Sequence, residues 1–347
     1  MRIFEILTLG TLFLALAARF LRVEKRPSWM YFLPVTAVLF ILIHLVIEHY
    51  RWQMVPNYTL AIWLLVLSLS QLFGKKVAPS IKKRFKKRAM PGKLLGWVII
   101  VFAISLPALV PVFQLPEPTG QHAVGTTSFA FTDDSRPEIF TDAPDDKRLV
   151  YVQVWYPANP FENASPLPMW IDAEEIGPVM AKGLFLPEFF FDHFAMIKSN
   201  SYLDAPVAID QDTSYPVLVF SHGYAPGFFA QNMVQMEELA SHGYIVFSIG
   251  HTYESAMVWD AQGQAIPASE AQMNAFYTEA EETDKFHRDA YYARETEKPA
   301  AIRAWLDAVP IAQQSIQVWT EDTQFVLSQI ERMNLGQVDS PFSGYMD

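Results

Sequence analysis

Charge and apolarity change together near residue 117, and that break constrains the fold more than any single motif. Residues 1–117 carry 15 Lys+Arg against 4 Asp+Glu, whereas the remainder carries 11 against 33. A basic, apolar part followed by an acidic one predicts a membrane anchor over 1–114, a linker over 115–121 and a soluble domain over 122–347. The acidity after residue 118 leaves no basic patch for a phosphate backbone, so nucleic acid is excluded as a partner. Cysteine is absent, which excludes disulfides, thiolate metal sites and a Cys nucleophile. The eight histidines show no His-Glu-x-x-His spacing, and neither metal nor cofactor is expected.

Four apolar stretches predict four transmembrane helices: Ile3 to Ala18, Trp29 to Ile47, Tyr58 to Phe73 and Leu94 to Phe113. A bilayer core takes about 20 helical residues, which the second and fourth stretches satisfy. The first and third are short, and the first has a rival reading as a signal peptide cleaved after Ala15-Leu16-Ala17. Basic residues cluster between the first two stretches (Arg19, Arg22, Lys25, Arg26) and between the last two, including Lys82 to Arg88. The positive-inside rule makes both loops cytoplasmic and places everything after Phe113 outside. The expected location is therefore integral to a membrane, a bacterial cytoplasmic membrane, with the soluble domain extracytoplasmic. The Lys82 to Arg88 run is either a solvated loop or a contact with anionic lipid. Glu5 and His44 are polar groups inside apolar stretches; His44 is expected to bond another helix.

Beyond the linker, Val124 to Phe131 alternates as a strand, and Arg148 to Tyr156 is a second strand stopped by Pro157. The two are expected to pair antiparallel at the sheet's opening edge. Residues 159–210 are irregular, and the cluster Phe185, Leu186, Phe189, Phe190, Phe191 and Phe194 reads as a cap core or an acyl-binding, membrane-facing lip. Asn163-Ala-Ser165 is a glycosylation sequon. Val217 to Phe220 is a continuous apolar run, as for a strand buried on both faces. A helix over about Phe228 to Ser241, ended by Gly243, leads to a parallel strand Tyr244 to Ile249. From Ser269 to Asn334 the pattern is helical, broken near Pro299 and Pro310, with a last helix Ser315 to Met333. The order predicts a doubly wound, mostly parallel α/β sheet, whose reactive groups collect at the carboxyl ends of strands.

The turn after Phe220 lies at such an end. Gly223 permits a positive φ and close backbone approach, which would aim the Tyr224 N–H at a carbonyl oxygen gaining charge; such a donor is worth about 100- to 1000-fold in rate. His222 is expected to order the turn. His251, beside Glu254, is read as structural, with a substrate-side role as the alternative. Ser221, His251 and Glu254 lie at neighbouring strand ends, but Ser221 lacks the Gly-x-Ser-x-Gly elbow that exposes a nucleophile. No such elbow occurs anywhere in the sequence.

Val124-Gly-Thr-Thr127, Trp155-Tyr-Pro157, Phe220-Ser-His-Gly-Tyr224, Leu239-Ala-Ser-His-Gly-Tyr244 and His251, in that order, resemble the plasma-type platelet-activating factor acetylhydrolases and their bacterial relatives over about residues 120–340. The resemblance implies an α/β-hydrolase that cleaves short or oxidised acyl esters from phospholipids without calcium, by a Ser-His-Asp triad. It places the oxyanion role on Tyr224 beside Gly223, with His222 and His251 supporting. It also puts the triad beyond residue 347, so that this chain is expected to be the N-terminal half of the domain, inactive, with an unpaired sheet edge. The alternative is a non-catalytic membrane protein whose soluble part binds a lipid or a protein partner.

Overall fold

The computed structural model describes residues 1–20, 27–73, 89–209, 214–224 and 227–347. The basic run Lys82 to Arg88, and most of the first basic loop, lie outside these. The chain divides into two compact units, Met1–Phe113 and Gln114–Asp347.

All four apolar stretches are helical: α1 (Ile3–Phe20), α2 (Leu33–Ile47), α3 (Val55–Phe73) and α4 (Ala89–Leu109). By length and composition two segments could cross a membrane, Trp29–Ile47 and Trp52–Ser70, while Ile3–Ala18 and Val98–Leu109 are shorter apolar helices. The fourth stretch stops at Leu109, short of the expected Phe113, because Pro107 and Pro111 remove N–H groups at its end. The unit's core is built on Ala15, Ala37, Ala61 and Ala103 with Leu12, Ile41, Leu60 and Leu64. Small side chains let the helices approach closely, and large apolar ones such as Leu39, Val46, Ile62, Val101 and Ile104 are exposed.

Polar groups inside this unit answer specific backbone needs. Pro107 has no N–H to give the Ala103 carbonyl, and Asn57 Nδ2 donates to that carbonyl instead at 2.9 Å. Arg51 donates to the carbonyls of Val110 (2.9 Å) and Pro107 (3.3 Å) at the end of α4 and pairs with Glu5 at 2.8 Å. His44 bridges Glu48 and Tyr58 of α3, each at 2.9 Å. Glu5, His44 and Glu48 bring ligand atoms within 4.8 Å of one another. However, Arg2 and Arg51 face these carboxylates, so the group is an ion-pair network whose donor atoms are already engaged.

The second unit is a five-stranded sheet in the order β3-β1-β2-β5-β4. Its strands are β1 (Ala123–Pro137), β2 (Lys147–Ala158), β3 (Ser201–Leu203), β4 (Val217–Ser221) and β5 (Ile245–His251), and a small hairpin joins β6 (Met257–Trp259) to β7 (Ala265–Pro267). The sheet is mixed where a mostly parallel one was expected. β1–β2 and β2–β5 are antiparallel, β1–β3 and β4–β5 parallel. β1 and β2 do pair antiparallel, but β3 adds a further edge beyond β1.

The period of two along β2 and β5 divides the core. Val150, Val152, Val154, Tyr156, Ile245, Phe247 and Ile249 face one side with Val326, Ile330 and Met333 of helix α9 (Pro310–Asn334). Tyr151, Trp155 and Val246 face the other with α5 (Ala173–Gly183) and α6 (Met233–Ser241). Each fully buried apolar side chain contributes about 1.5 to 3 kcal/mol, so the two helical layers hold β2 and β5 in place from both faces. Gly243 closes α6 in the left-handed region at φ 96°.

The helical pattern is broken near Pro299 and Pro310 as expected, between α7 (Glu270–Tyr292), α8 (Lys298–Asp307) and α9, and each proline sits in the first turn of the helix that follows. The last helix begins five residues before the expected Ser315, since the Glu279 carboxylate of α7 accepts the first free N–H groups of α9, Ile311 at 2.7 Å and Ala312 at 2.9 Å. The outer edge of β4 is not fully open either. Tyr215 N–H donates to the Tyr345 carbonyl at 2.7 Å and Val217 N–H to that of Asp347 at 3.2 Å.

Candidate functional site

Because β4 and β5 run parallel in register, with Ser221 opposite Ile249, their carboxyl ends bring Ser221 and His251 together. Ser221 Oγ–H donates to His251 Nε2 at 2.9 Å, and His251 Nδ1–H donates to Asp322 Oδ2 at 2.9 Å. This proton placement is the neutral tautomer that both contacts require. Asp322 and Trp319 lie one turn apart on α9, and the indole stacks on the imidazole at 4.1 Å and 7°. Asp322 also accepts from Arg148 Nη2 (2.7 Å), Arg148 Nε (3.0 Å) and Arg136 Nη2 (2.9 Å). Arg148 in turn pairs with Glu138 at 3.0 Å and donates to the Thr252 carbonyl.

A second set of bonds fixes the turn after β4. His222 Nδ1–H donates to the Gly223 carbonyl at 2.9 Å, and Ser255 Oγ–H donates to His222 Nε2 at 3.0 Å. Gly223 N–H donates to Gln231 Oε1 at 3.2 Å. Contrary to expectation, Gly223 does not take a positive φ; these two side-chain bonds hold its peptides in ordinary backbone space. The Tyr224 N–H has no acceptor among the described residues. Its hydroxyl donates to Glu254 at 2.9 Å, and Glu254 also accepts from Trp319 Nε1 (2.8 Å), Gln272 Nε2 (3.2 Å) and Ser315 Oγ. The buried carboxylate therefore ties the turn to α7 and α9. Tyr253 stands at φ 68°, a strained position for a non-glycine that directs Glu254 and Ser255 inward.

Of the three residues weighed as a local triad, the structure joins Ser221 to His251 but turns Glu254 toward Tyr224. Asp322 takes the third place. The sequence carried one unused signal for it: Asp322 stands on the apolar stripe of α9 with Val318, Val326, Ile330 and Met333, where a carboxylate needs a buried partner. The hydrogen-bond order is that of a serine-hydrolase triad. Two features favour a structural role instead. Ser221 continues a regular strand rather than a sharp elbow, and Asp322 is bound by two guanidinium groups, which weakens its hold on a developing imidazolium.

The electrostatics follow from burial. Burial, then the neighbouring His251, pushes the His222 imidazole down to about 4. Burial likewise lowers His251, against the hydrogen bond and charge of Asp322. Burial alone would raise Asp322, but bonds from His251 and Arg148 outweigh it and hold the carboxyl well below the usual carboxylate range. His222 therefore binds a proton more readily unfolded, at about 6.5, than folded, at about 4, so stability is lost as pH falls. Denaturation midpoints of the full chain should drop progressively between those two values, by on the order of 3 kcal/mol at most. His222→Gln should flatten that window, and an unchanged slope in the variant would assign the loss elsewhere.

A mixed sheet layered by helices on both faces, with its polar network at the carboxyl ends of β4 and β5, defines an α/β-hydrolase fold. Residues 108–340 match the family of platelet-activating factor acetylhydrolase, isoform II, and the chain belongs to that family. Among solved structures, a ferulic acid esterase from Streptomyces cinnamoneus is similar at 20% identity and a TM-score of 0.36, over 54% of this chain and 52% of that one. The chain thus spans about half the length of that esterase. No curated protein matches it.

Proposed function

We propose that the protein is a membrane-anchored carboxylic ester hydrolase that removes short or oxidised acyl groups from phospholipids without calcium. The observation that carries this reading is the Phe220 to Tyr224 turn, ordered by His222, with the Tyr224 N–H left without an acceptor among the described residues. Tyr224 supplies the oxyanion donor; Gly223, His222 and His251 shape and support the turn, with the Gly223 N–H held by Gln231. Membership in the acetylhydrolase family favours a phospholipid ester as substrate. The exposed apolar faces of α2, α3 and α4 favour a four-helix anchor over 1–114 that keeps the site near lipid. The basic loops favour an extracytoplasmic position for the soluble domain of 122–347, after a linker over 115–121.

No serine of this sequence is assigned as nucleophile. Protein purified from its native membranes, at the length made there, should hydrolyse 2-acetyl phospholipid faster than long-chain diacyl lipid with calcium chelated. A fluorophosphonate probe should mark a serine other than Ser221, and Ser221→Ala should leave that labelling intact. A label on Ser221 would reassign the Ser221–His251–Asp322 line as catalytic. Absence of both labelling and hydrolysis would favour the binding alternative.

A further inference from the structure

A cavity of ≈600 Å³ in the α/β unit lies over the face of β1 and β2 that carries Tyr151, Gln153 and Trp155. Its size is within the range of small-molecule sites, about 300 to 1,000 Å³. None of Ser221, His222, Tyr224 or His251 lines it. The floor is aromatic. Tyr151, Phe229 and Trp259 stand with ring centroids 4.9 to 6.0 Å apart, and Trp170 packs edge-on against Phe228 at 5.6 Å.

Its charge is of one sign. The ionisable acids among the described lining residues are Asp172, Glu175 and Asp260, and no Lys, Arg or His joins them. Asp172 precedes α5, yet its side chain makes no capping bond there, and Asp172 and Glu175 are exposed at the mouth. Burial, then the Glu175 charge, raises the Asp172 carboxyl above its ordinary value. Two neighbouring carboxylates, with no basic residue among the described lining, thus share a cavity with the rings of Tyr151, Phe229 and Trp259. Trp155 lines the same cavity with an indole N–H that finds no partner among the described residues.

We propose that this cavity binds a small organic cation of the substituted-ammonium class, its charge beside Asp172 and Glu175 and its alkyl groups against Tyr151, Phe229 and Trp259. Aromatic faces attract such ions through their quadrupoles, most strongly where water is excluded. The carboxylates at the mouth add a field that a neutral molecule of the same shape cannot use. A hard metal ion is disfavoured, since the rings offer it no ligand atoms and it would have to surrender its water.

Full-length protein in neutral detergent, titrated calorimetrically with tetramethylammonium chloride over a sodium chloride background, should show saturable binding. Tert-butyl alcohol, similar in shape and uncharged, should show none. Asp172→Asn combined with Glu175→Gln, both surface changes, should weaken tetramethylammonium by about tenfold, and Trp259→Leu by about two- to fivefold. The proposal fails if the wild-type protein does not saturate, or if tert-butyl alcohol binds as well. It fails equally if magnesium displaces the ammonium ion, or if the folded double variant retains full affinity.

Discussion

Replacing Asp322 by alanine should destabilise the α/β unit by about 3 to 5 kcal/mol, the range for removing one member of a buried ion pair. The carboxylate is fully buried and accepts from Arg148, Arg136 and His251. Without it the Arg148 guanidinium, 2% exposed, keeps Glu138 and the Thr252 carbonyl as its hydrogen-bond partners among the described residues, beside the Phe140 ring. His251 Nδ1 loses its acceptor, and stacking on Trp319 holds the ring without fixing which nitrogen carries the proton. Asp322→Asn keeps the shape and one acceptor oxygen but no charge, so its loss should be smaller than that of alanine. Replacing Arg148 by Met together with Asp322 by Leu should lose less than the two single changes summed, because the two facing charges go together and Glu138 is the one buried group left without its guanidinium partner. Urea denaturation of the full-length variants, followed by amide hydrogen exchange at β5, measures this directly. A loss below about 1 kcal/mol for Asp322→Ala would mean that water replaces the carboxylate and that the relay contributes little.

Local signals carried the sequence reading where neighbours in the chain are neighbours in space. The apolar run of β4, the spaced Met233, Met236 and Ala240 of α6 and the glycine after it announced a strand, a helix and a stop, and the structure has all three, but β4 is a half-exposed edge strand and not one buried on both faces, and α6 starts at Met233 instead of Phe228. Non-local chemistry was not legible in the same way. Asp322 meets His251 across 71 positions and Arg148 across 174, and no period or spacing in the sequence reports such a pairing. β3 is three residues long, too short to alternate, and it gained its place only through β1. Gly223 was read as permitting a positive φ, and the structure does not use that freedom. Permission is not requirement: two side-chain bonds already settle that turn. The start of α9 shows the same limit, since its first N–H groups are answered by Glu279 from another helix and not by a residue beside them. Local pattern thus pointed to the candidate turn, and long-range polar contacts determine how it is held.

On the ester-hydrolase reading, Tyr224→Pro should lower kcat of the protein purified from its native source by about 100- to 1000-fold with KM little changed, as expected for loss of one donor that acts on the transition state. Proline changes two things at position 224: it removes the N–H, and it removes the phenol that donates to Glu254 and lies 4.2 Å from the Phe276 ring. Tyr224→Ala separates them, since it keeps the N–H and discards the side chain. If the backbone donor carries the role, alanine should retain most of the activity, losing only what a looser turn costs, while proline loses nearly all of it. Tyr224→Phe, which leaves the ring stacked and only the hydroxyl missing, should lie closer to wild type than alanine. If alanine and proline fall equally, Tyr224 works through Glu254 as a bolt on the turn, and the donor must be sought at another backbone N–H. If proline loses less than about tenfold, the turn holds no oxyanion at all, and the ester-hydrolase reading loses the observation on which it rests.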